Sequence, residues 1–155
     1  MVQPVPDGLD DRIVPYLLID GAAAAIDFYV RAFGATETGR IEMPDGSIGH
    51  AAIVVHGAPV YLADAPDDME HEGANPTKLG GTCVLLHQYV SDVDAVVRRA
   101  AEAGATVHRE PSDQFYGDRA ALLRDPFGHL WSLHTHVRDV TDEEMAAAVA
   151  QMTPE

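Results

Sequence analysis

Gly34-Ala-Thr36 ends one apolar-periodic segment and opens an extended one, and the same turn recurs as Gly104-Ala-Thr106. Upstream of the first copy, Ala22 to Phe33 is Ala-rich, with Ile26, Tyr29 and Phe33 near helical spacing, and Gly34 closes it as a C-terminal glycine does. Before that helix, Val14 to Ile19 is short, apolar and partly β-branched, which predicts a strand stopping at Asp20-Gly21. Downstream, Thr36 to Met43, Ile48 to Val55 and Pro59 to Ala63 read as strands, with Pro44-Asp-Gly-Ser47 and His56-Gly57 as turns. The second copy has the same surroundings. Thr82 to Val90 predicts a strand, and a helix then runs to Ala103 with Ser91 as N-cap and Asp94 at N3. Its predicted apolar stripe is Val93, Val97, Ala100 and Ala101, with Asp94, Arg98, Arg99 and Glu102 facing water. Strands follow near Thr106–Arg109, Arg119–Arg124 and His129–His136, with Asp125-Pro-Phe-Gly128 as a turn. From Tyr16 to Gly34 is 18 residues and from His87 to Gly104 is 17; from Gly34 to Gly57 is 23 and from Gly104 to Gly128 is 24.

Two copies of one supersecondary unit predict an α+β fold of two pseudo-repeated βαβββ modules forming a curved mixed sheet around a cleft, with helices on the outer face. The boundaries expected for this single domain, residues 1–155, are module one at about 13–63, an acidic loop at 64–81, module two at about 82–136, and a terminal helix at about 141–152 started by the capping box Thr141-Asp-Glu-Glu144. Strand parity supports the arrangement. One side carries Leu17, Ile19, Val60, Leu62, Leu86, Val90, Trp131 and Leu133, the side that packs on helices; Pro15 and Gln88 share it. The other carries Tyr16, Tyr61, His87, Ser132 and His134 among Val14, Leu85 and Ala63, the polar-aromatic pattern of a ligand-facing surface.

Composition narrows the partners. Of 155 residues 46% are hydrophobic, a globular proportion, and 10 Lys and Arg against 25 Asp and Glu give a formal charge of -15. Such a surface repels phosphate backbones and anionic lipid, so neither nucleic acid nor membrane is an expected partner. One cysteine, Cys83, excludes an intrachain disulfide and fits a reducing cytoplasm; on a predicted strand without cationic neighbours it reads as a buried structural thiol. Met1 to Asp11 lacks the basic and apolar regions of a signal peptide, and no apolar run reaches the ~18 residues that span a bilayer.

Pro15-Tyr-Leu, Gly21-Ala-Ala, Phe28-Tyr29, Ala32-Phe-Gly34, Gly49-His-Ala51, Leu86-His87, Tyr89-Val90, Asp92-Val-Asp94, Gln114-Phe-Tyr-Gly-Asp-Arg119 and Asp125-Pro-Phe-Gly-His-Leu-Trp131 together resemble the vicinal oxygen chelate (glyoxalase/bleomycin-resistance/dioxygenase) superfamily, in its PhnB-like branch. The likeness runs from about Ile13 to His136. It implies the paired-module fold and, by analogy, a homodimer, but no one reaction, because the superfamily contains isomerases, dioxygenases, thiol transferases and pure drug-binding proteins.

Metal-using members place His, Gln or Glu on the first and last strands of each module. Mapped through the shared motifs, those positions fall on Val14, Tyr61, Leu85 and Ser132; slipped by two residues, on Tyr16, Ala63, His87 and His134. Neither set is the usual four-ligand one, so no metal cofactor is expected, and the resemblance leaves a divalent metal only on a non-standard histidine set such as His50, His87 and His134.

The candidate ligand-binding residues are Tyr16, His50, Tyr61, His87, Phe115, Tyr116, Ser132 and His134. The aromatic rings would stack on a flat molecule and the imidazoles would hydrogen-bond it. His134-Thr-His136 puts two imidazoles on one strand face, where ordinary surface or ligand-facing roles outweigh chelation. His129 has the opposite parity and reads as structural. Asp64-Ala-Pro-Asp-Asp-Met-Glu-His-Glu72 lacks the spacing of a calcium loop and reads as solvated acidic chain. Gln114-Phe-Tyr-Gly-Asp-Arg119 closes over a ligand or packs locally around an Asp118–Arg119 pair. Two functions follow. The first is a metal-free module binding or sequestering an aromatic or cationic compound, the cation favoured by the acidic surface. The second is a lyase, isomerase or dioxygenase with a metal on the non-standard site, or a metal-free enzyme with His50 or His87 as general base.

Overall fold

A computed structural model describes Leu9, residues 12–66 and residues 75–152. Its element order is β1(Tyr16–Ile19), α1(Ala22–Phe33), β2(Thr36–Glu42), β3(Ile48–Val55), β4(Ala58–Asp64), α2(Pro76–Leu79), β5(Leu85–Tyr89), α3(Val93–Ala103), β6(Thr106–Asp113), β7(Asp118–Arg124), β8(Leu130–His136) and α4(Asp142–Ala150). The chain divides into two compact units, Met1–Leu79 and Gly80–Glu155. Each holds one four-stranded mixed sheet, in the orders β1-β4-β3-β2 and β5-β8-β7-β6; neither sheet is closed. The strand across which the chain returns, β4 or β8, pairs parallel with the first strand and antiparallel with the third. This is the βαβββ module, twice.

The repeat extends to single hydrogen bonds. Tyr16 is the register partner of Tyr61, and His87 of Ser132; each partner lies four residues past its turn glycine, Gly57 or Gly128. Both β2–β3 and β6–β7 close with the same turn: Met43 N–H to Ser47 O and Gly46 N–H to Met43 O in one, Gln114 N–H to Asp118 O and Gly117 N–H to Gln114 O in the other. Each module also tethers its helix from the last strand. Asp64 Oδ1 accepts from Gly21 N (3.0 Å) and Ala22 N (2.7 Å) at the start of α1 while Oδ2 accepts from Ile48 N. Seven residues past Gly128, Thr135 Oγ1 accepts from Val93 N (2.9 Å) and donates to Val90 O, tying down α3.

The cores follow the predicted parity at Leu17, Ile19, Val60, Leu62, Trp131 and Leu133, while Leu86 and Val90 are only half-buried. In the first unit Leu17, Ile19, Ala51, Ile53, Val60 and Leu62 meet Ile26, Phe28, Tyr29 and Phe33 of α1, all buried. In the second, Ala121, Leu123, Trp131 and Leu133 are buried with Val93, Val96, Val97 and Ala100 of α3. Asp125, 3% exposed, locks the β7–β8 turn by accepting from Phe127 N, His129 N and Trp131 Nε1. His129 is buried in this turn, the structural role expected of it.

Several local expectations are corrected. Val84 N bonds Thr82 Oγ1, a side-chain turn that withholds residues 82–84 from the sheet. The strand therefore starts at Leu85, and Cys83 is exposed rather than buried. Asp92, not Ser91, caps α3: its Oδ1 accepts from Ala95 N, and Thr135 fixes Val93 as the first helical residue. Val96 takes the buried place assigned to Ala101, which is exposed. Asp64 closes β4 as a structural carboxylate instead of opening a solvated loop, and residues 67–74 of that acidic stretch lie outside the described residues. The Thr141 capping box with Glu144 forms as expected.

Candidate functional site

The faces opposite the helices carry the predicted site residues in two groups. In the first unit the β1–β4 and β3–β4 registers put Tyr16, Ala52 and Tyr61 on one face, and His50 shares it. Tyr16 Oη lies 3.0 Å from His50 Nδ1, and the Tyr61 ring meets His50 edge-on at 5.0 Å and Tyr16 at 6.1 Å. This is an aromatic surface with one internal hydrogen bond.

The second unit's face is chemically richer. Because antiparallel strands pair symmetrically about their turn, Asp118, Ala120 and Leu122 stand opposite His136, His134 and Ser132. Parallel pairing then sets His87 beside Ser132 and Tyr89 beside His134. The His87 and His134 rings are 4.3 Å apart, Tyr89 packs against both, and Tyr116 stacks on His134 at 6.2 Å and 23°. Phe115 touches the edge of Tyr116 and is exposed. Beneath the rings Asp118, 4% exposed, accepts from Tyr89 Oη at 2.7 Å on Oδ2; His134 Nδ1 lies 3.1 Å from the same oxygen, and His136 Nδ1 lies 3.0 Å from Oδ1. His134 Nε2 is 3.0 Å from Ser132 Oγ, and His136 Nε2 is 3.0 Å from Asp139 Oδ1.

Burial pushes the Asp118 carboxyl up, but the bonds from Tyr89, His136 and His134 together outweigh it and hold the group below the ordinary carboxylate value. The bond to Asp118, then that to Asp139, raises His136 above an ordinary imidazole. Burial, followed by the charge of His134, depresses His87 despite the opposing field of Asp118. Accepting the Tyr89 proton stabilises the neutral phenol, whose pKa rises. The face thus holds an ionised carboxylate, a readily protonated His136 and a His87 that favours its neutral form.

His50 belongs to the first unit's cluster, while His87 and His134 share the second's. Asp118 is the residue that sequence reasoning missed. One of the two readings of residues 114–119 paired it with its neighbour Arg119, but consecutive strand residues face opposite ways. Arg119 instead makes a two-pronged ion pair with Asp94 (2.6 and 2.8 Å) and reaches Asp113. Counting outward from the Asp125–Gly128 turn assigns Asp118 to His136, so the signal was present.

The donor set does not fit the superfamily's metal. Val14 and Leu85 offer no donor atoms, Tyr61 and Ser132 are poor ligands, and both ring nitrogens of His134 and of His136 are engaged within the cluster. Among the described residues no group of three or more His, Cys, Asp or Glu is arranged to hold a metal ion.

A sequence profile of the Glyoxalase/Bleomycin resistance protein/Dioxygenase superfamily matches residues 11–133. An uncharacterized protein of Mycobacterium tuberculosis (strain H37Rv) is 47% identical over 143 residues, covering 92% of this chain and 84% of its own length. Anthracycline biosynthesis protein DnrV of Streptomyces peucetius is 34% identical over 134 residues, covering 70% of this chain and 48% of its own length. The crystal structure of TioX from Micromonospora sp. ML1 superposes with a TM-score of 0.62 at 30% identity, over 84% of this chain and 100% of that one. With a profile spanning most of its length and two βαβββ modules, this chain belongs to the Glyoxalase/Bleomycin resistance protein/Dioxygenase superfamily.

Proposed function

We propose that the protein binds a small aromatic molecule on the second unit's sheet face, without a metal, and acts as a binding or sequestering member of its superfamily. The observation that carries this reading is the ring array of His87, Tyr89, Tyr116 and His134 set over the ionised, nearly buried Asp118. Burying a carboxylate is costly, and a sheet end needs none for stability. Here the carboxylate orients two imidazoles and a phenol, leaving Tyr89 exposed beside them. Flat rings with a few fixed polar groups suit an aromatic ligand. The formal charge of -15 favours a cationic or neutral ligand over an anionic one. The relative named for anthracycline biosynthesis supports the same class, since anthracyclines are fused-ring aromatics.

On this reading Tyr16, His50 and Tyr61 form a lesser, stacking surface, and Phe115 borders the main one. By analogy with the superfamily the protein is also a homodimer, and a second copy would cover some of the exposed Ile41, Val84 and Leu85. Light scattering at micromolar concentration reads twice the chain mass on this view; a monomer mass refutes it. The reading places the protein in the cytoplasm, consistent with its single cysteine; no helix among the described residues is long and apolar enough to cross a membrane. Equilibrium dialysis against an anthracycline, a small aromatic cation and an aromatic carboxylate tests the ligand class. Saturable binding of the first two with Kd below about 1 mM is expected, and no saturable binding of any of them overturns it. Elemental analysis of protein purified without chelator gives well under one transition metal per chain; one per chain contradicts the metal-free reading.

A further inference from the structure

Within the same face, Ser132 Oγ, His134 Nε2, His134 Nδ1 and Asp118 Oδ2 form a continuous chain with links of 3.0 and 3.1 Å. Its polarity follows from the chemistry of the groups. An ionised carboxylate only accepts, so in neutral His134 the proton sits on Nδ1, toward Asp118. Nε2 then only accepts, and the Ser132 hydroxyl donates to it. Tyr89 and His136 hold the two carboxylate oxygens from other directions and fix the carboxylate's orientation. Ser132 is half-buried while His134 is 8% exposed, so the hydroxyl is the more accessible end of the chain. This is the order of groups that activates a serine hydroxyl for attack on a carbonyl, a constellation recognised by geometry on unrelated folds.

We propose that Ser132 is an activated nucleophile, with His134 as its general base and Asp118 as the residue that positions His134, and that the face turns over aromatic esters by acyl transfer. Ser132 Oγ forms a bond to the acyl carbon as its proton passes to His134 Nε2. The ester C–O bond then breaks, and His134 returns the proton to the leaving alkoxide, which departs as the alcohol. Water adds to the acyl-serine by the same route in reverse, releasing the carboxylic acid and restoring Ser132; no redox partner is needed. His87, the register partner of Ser132, has no ring-nitrogen hydrogen bond among the described residues, which leaves its ring N–H available to a developing oxyanion. Tyr89 and Tyr116 offer ring surface to a flat acyl or leaving group.

The proposal stands on the face described above but is tested apart from ligand binding. The full chain is incubated with a small fluorophosphonate, and adducts are located by peptide mass spectrometry. A single adduct on Ser132 is expected, formed about 100-fold faster than on exposed Ser91, absent in Ser132→Ala and slowed about 100-fold in Asp118→Asn. Histidine 15N spectra assign the wild-type His134 proton to Nδ1, a signature that Asp118→Asn abolishes. No adduct on folded wild-type protein, or labelling at the rate of Ser91, overturns the proposal, as does unchanged labelling in Asp118→Asn. If that variant does not fold, the wild-type labelling and the 15N assignment decide alone: a proton on Nε2 overturns the relay. Dialysis of the wild-type chain against the aromatic cation reports on ligand binding whatever the labelling shows.

Discussion

The two modules share a backbone plan and differ in what they mount on it. Both pair their first strand with the residue four past a turn glycine, and both tie a helix start to the end of the last strand. On this common frame module one places Tyr16, His50 and Tyr61, three rings with a single hydrogen bond among them. Module two places a carboxylate bonded to three donors, with a serine at the end of one branch. The repeat specifies architecture, then, while chemistry is concentrated in one copy. The same hairpin position is Ser47 in one module and Asp118 in the other, and that substitution marks the difference.

The two modules differ most at the matched hairpin glycines. Gly46 and Gly117 both have positive φ (+86 and +95), but a Cβ at Gly46 meets nothing within 4 Å while one at Gly117 comes 2.2 Å from Arg138 O. Gly117 O also accepts from Val137 N and Arg138 N, anchoring the chain that leaves β8. Gly117→Ala is expected to destabilise by about 3 kcal/mol or more, and Gly46→Ala by about 1 kcal/mol from backbone strain alone. Equal losses in urea unfolding would mean that the module-two turn is not the tighter of the two.

Next are the helix tethers. Asp64→Ala leaves three backbone N–H groups without their charged acceptor and is expected to cost about 2–4 kcal/mol. Thr135→Val removes a neutral acceptor and donor and should cost about 1–2 kcal/mol. Thermal or denaturant melts of both variants give the order directly.

His87→Ala should weaken binding of an aromatic cation by about 1–3 kcal/mol, roughly 5- to 150-fold in Kd, and change stability less, because the side chain lies away from the helix-packed core. Tyr16→Phe, at the equivalent place in module one, should change affinity several-fold less. A larger loss at Tyr16 would reverse the assignment of the two faces.

The smallest effect is a pH dependence. His136 has a folded pKa raised above the ordinary 6.5, so its stabilisation is full below that value and fades as pH rises through the folded pKa. Asp118 has a folded pKa lowered from 3.8, so its share is present above 3.8 and is lost as pH falls through the folded value. The cluster is therefore strongest between these limits. His136→Gln should remove the loss on the alkaline side and, because its bond helps hold Asp118 low, shrink the loss on the acid side, as read by melting temperature across pH 3 to 9 (a span of about six units around the ordinary values). Because His136 is about half exposed, the amplitude is small.

Much of this was legible in the sequence. The Gly-Ala-Thr repeat and strand parity identified the modules, the buried face and the face bearing Tyr16, Tyr61, His87, Ser132 and His134, because periodicity reports which way a side chain points. Elements set by a local contest were not legible: the Thr82 side-chain turn that shortens β5, and the choice between Ser91 and Asp92 as cap, depend on bonds that composition does not rank. The site was only half legible for a related reason. Its histidines were visible as residue types, but the carboxylate that organises them sits across a hairpin, beside a more obvious partner in Arg119.

The module-two face is the proposed ligand surface. Its most direct test is a 1H–15N and 1H–13C NMR titration of the full chain with an anthracycline. Saturating shifts centred on His87, Tyr89, Tyr116, Ser132 and His134, and moved to higher ligand concentration in His87→Ala, are the predicted result. Shifts confined to Tyr16, His50 and Tyr61, or none that saturate up to about 1 mM ligand, would contradict it.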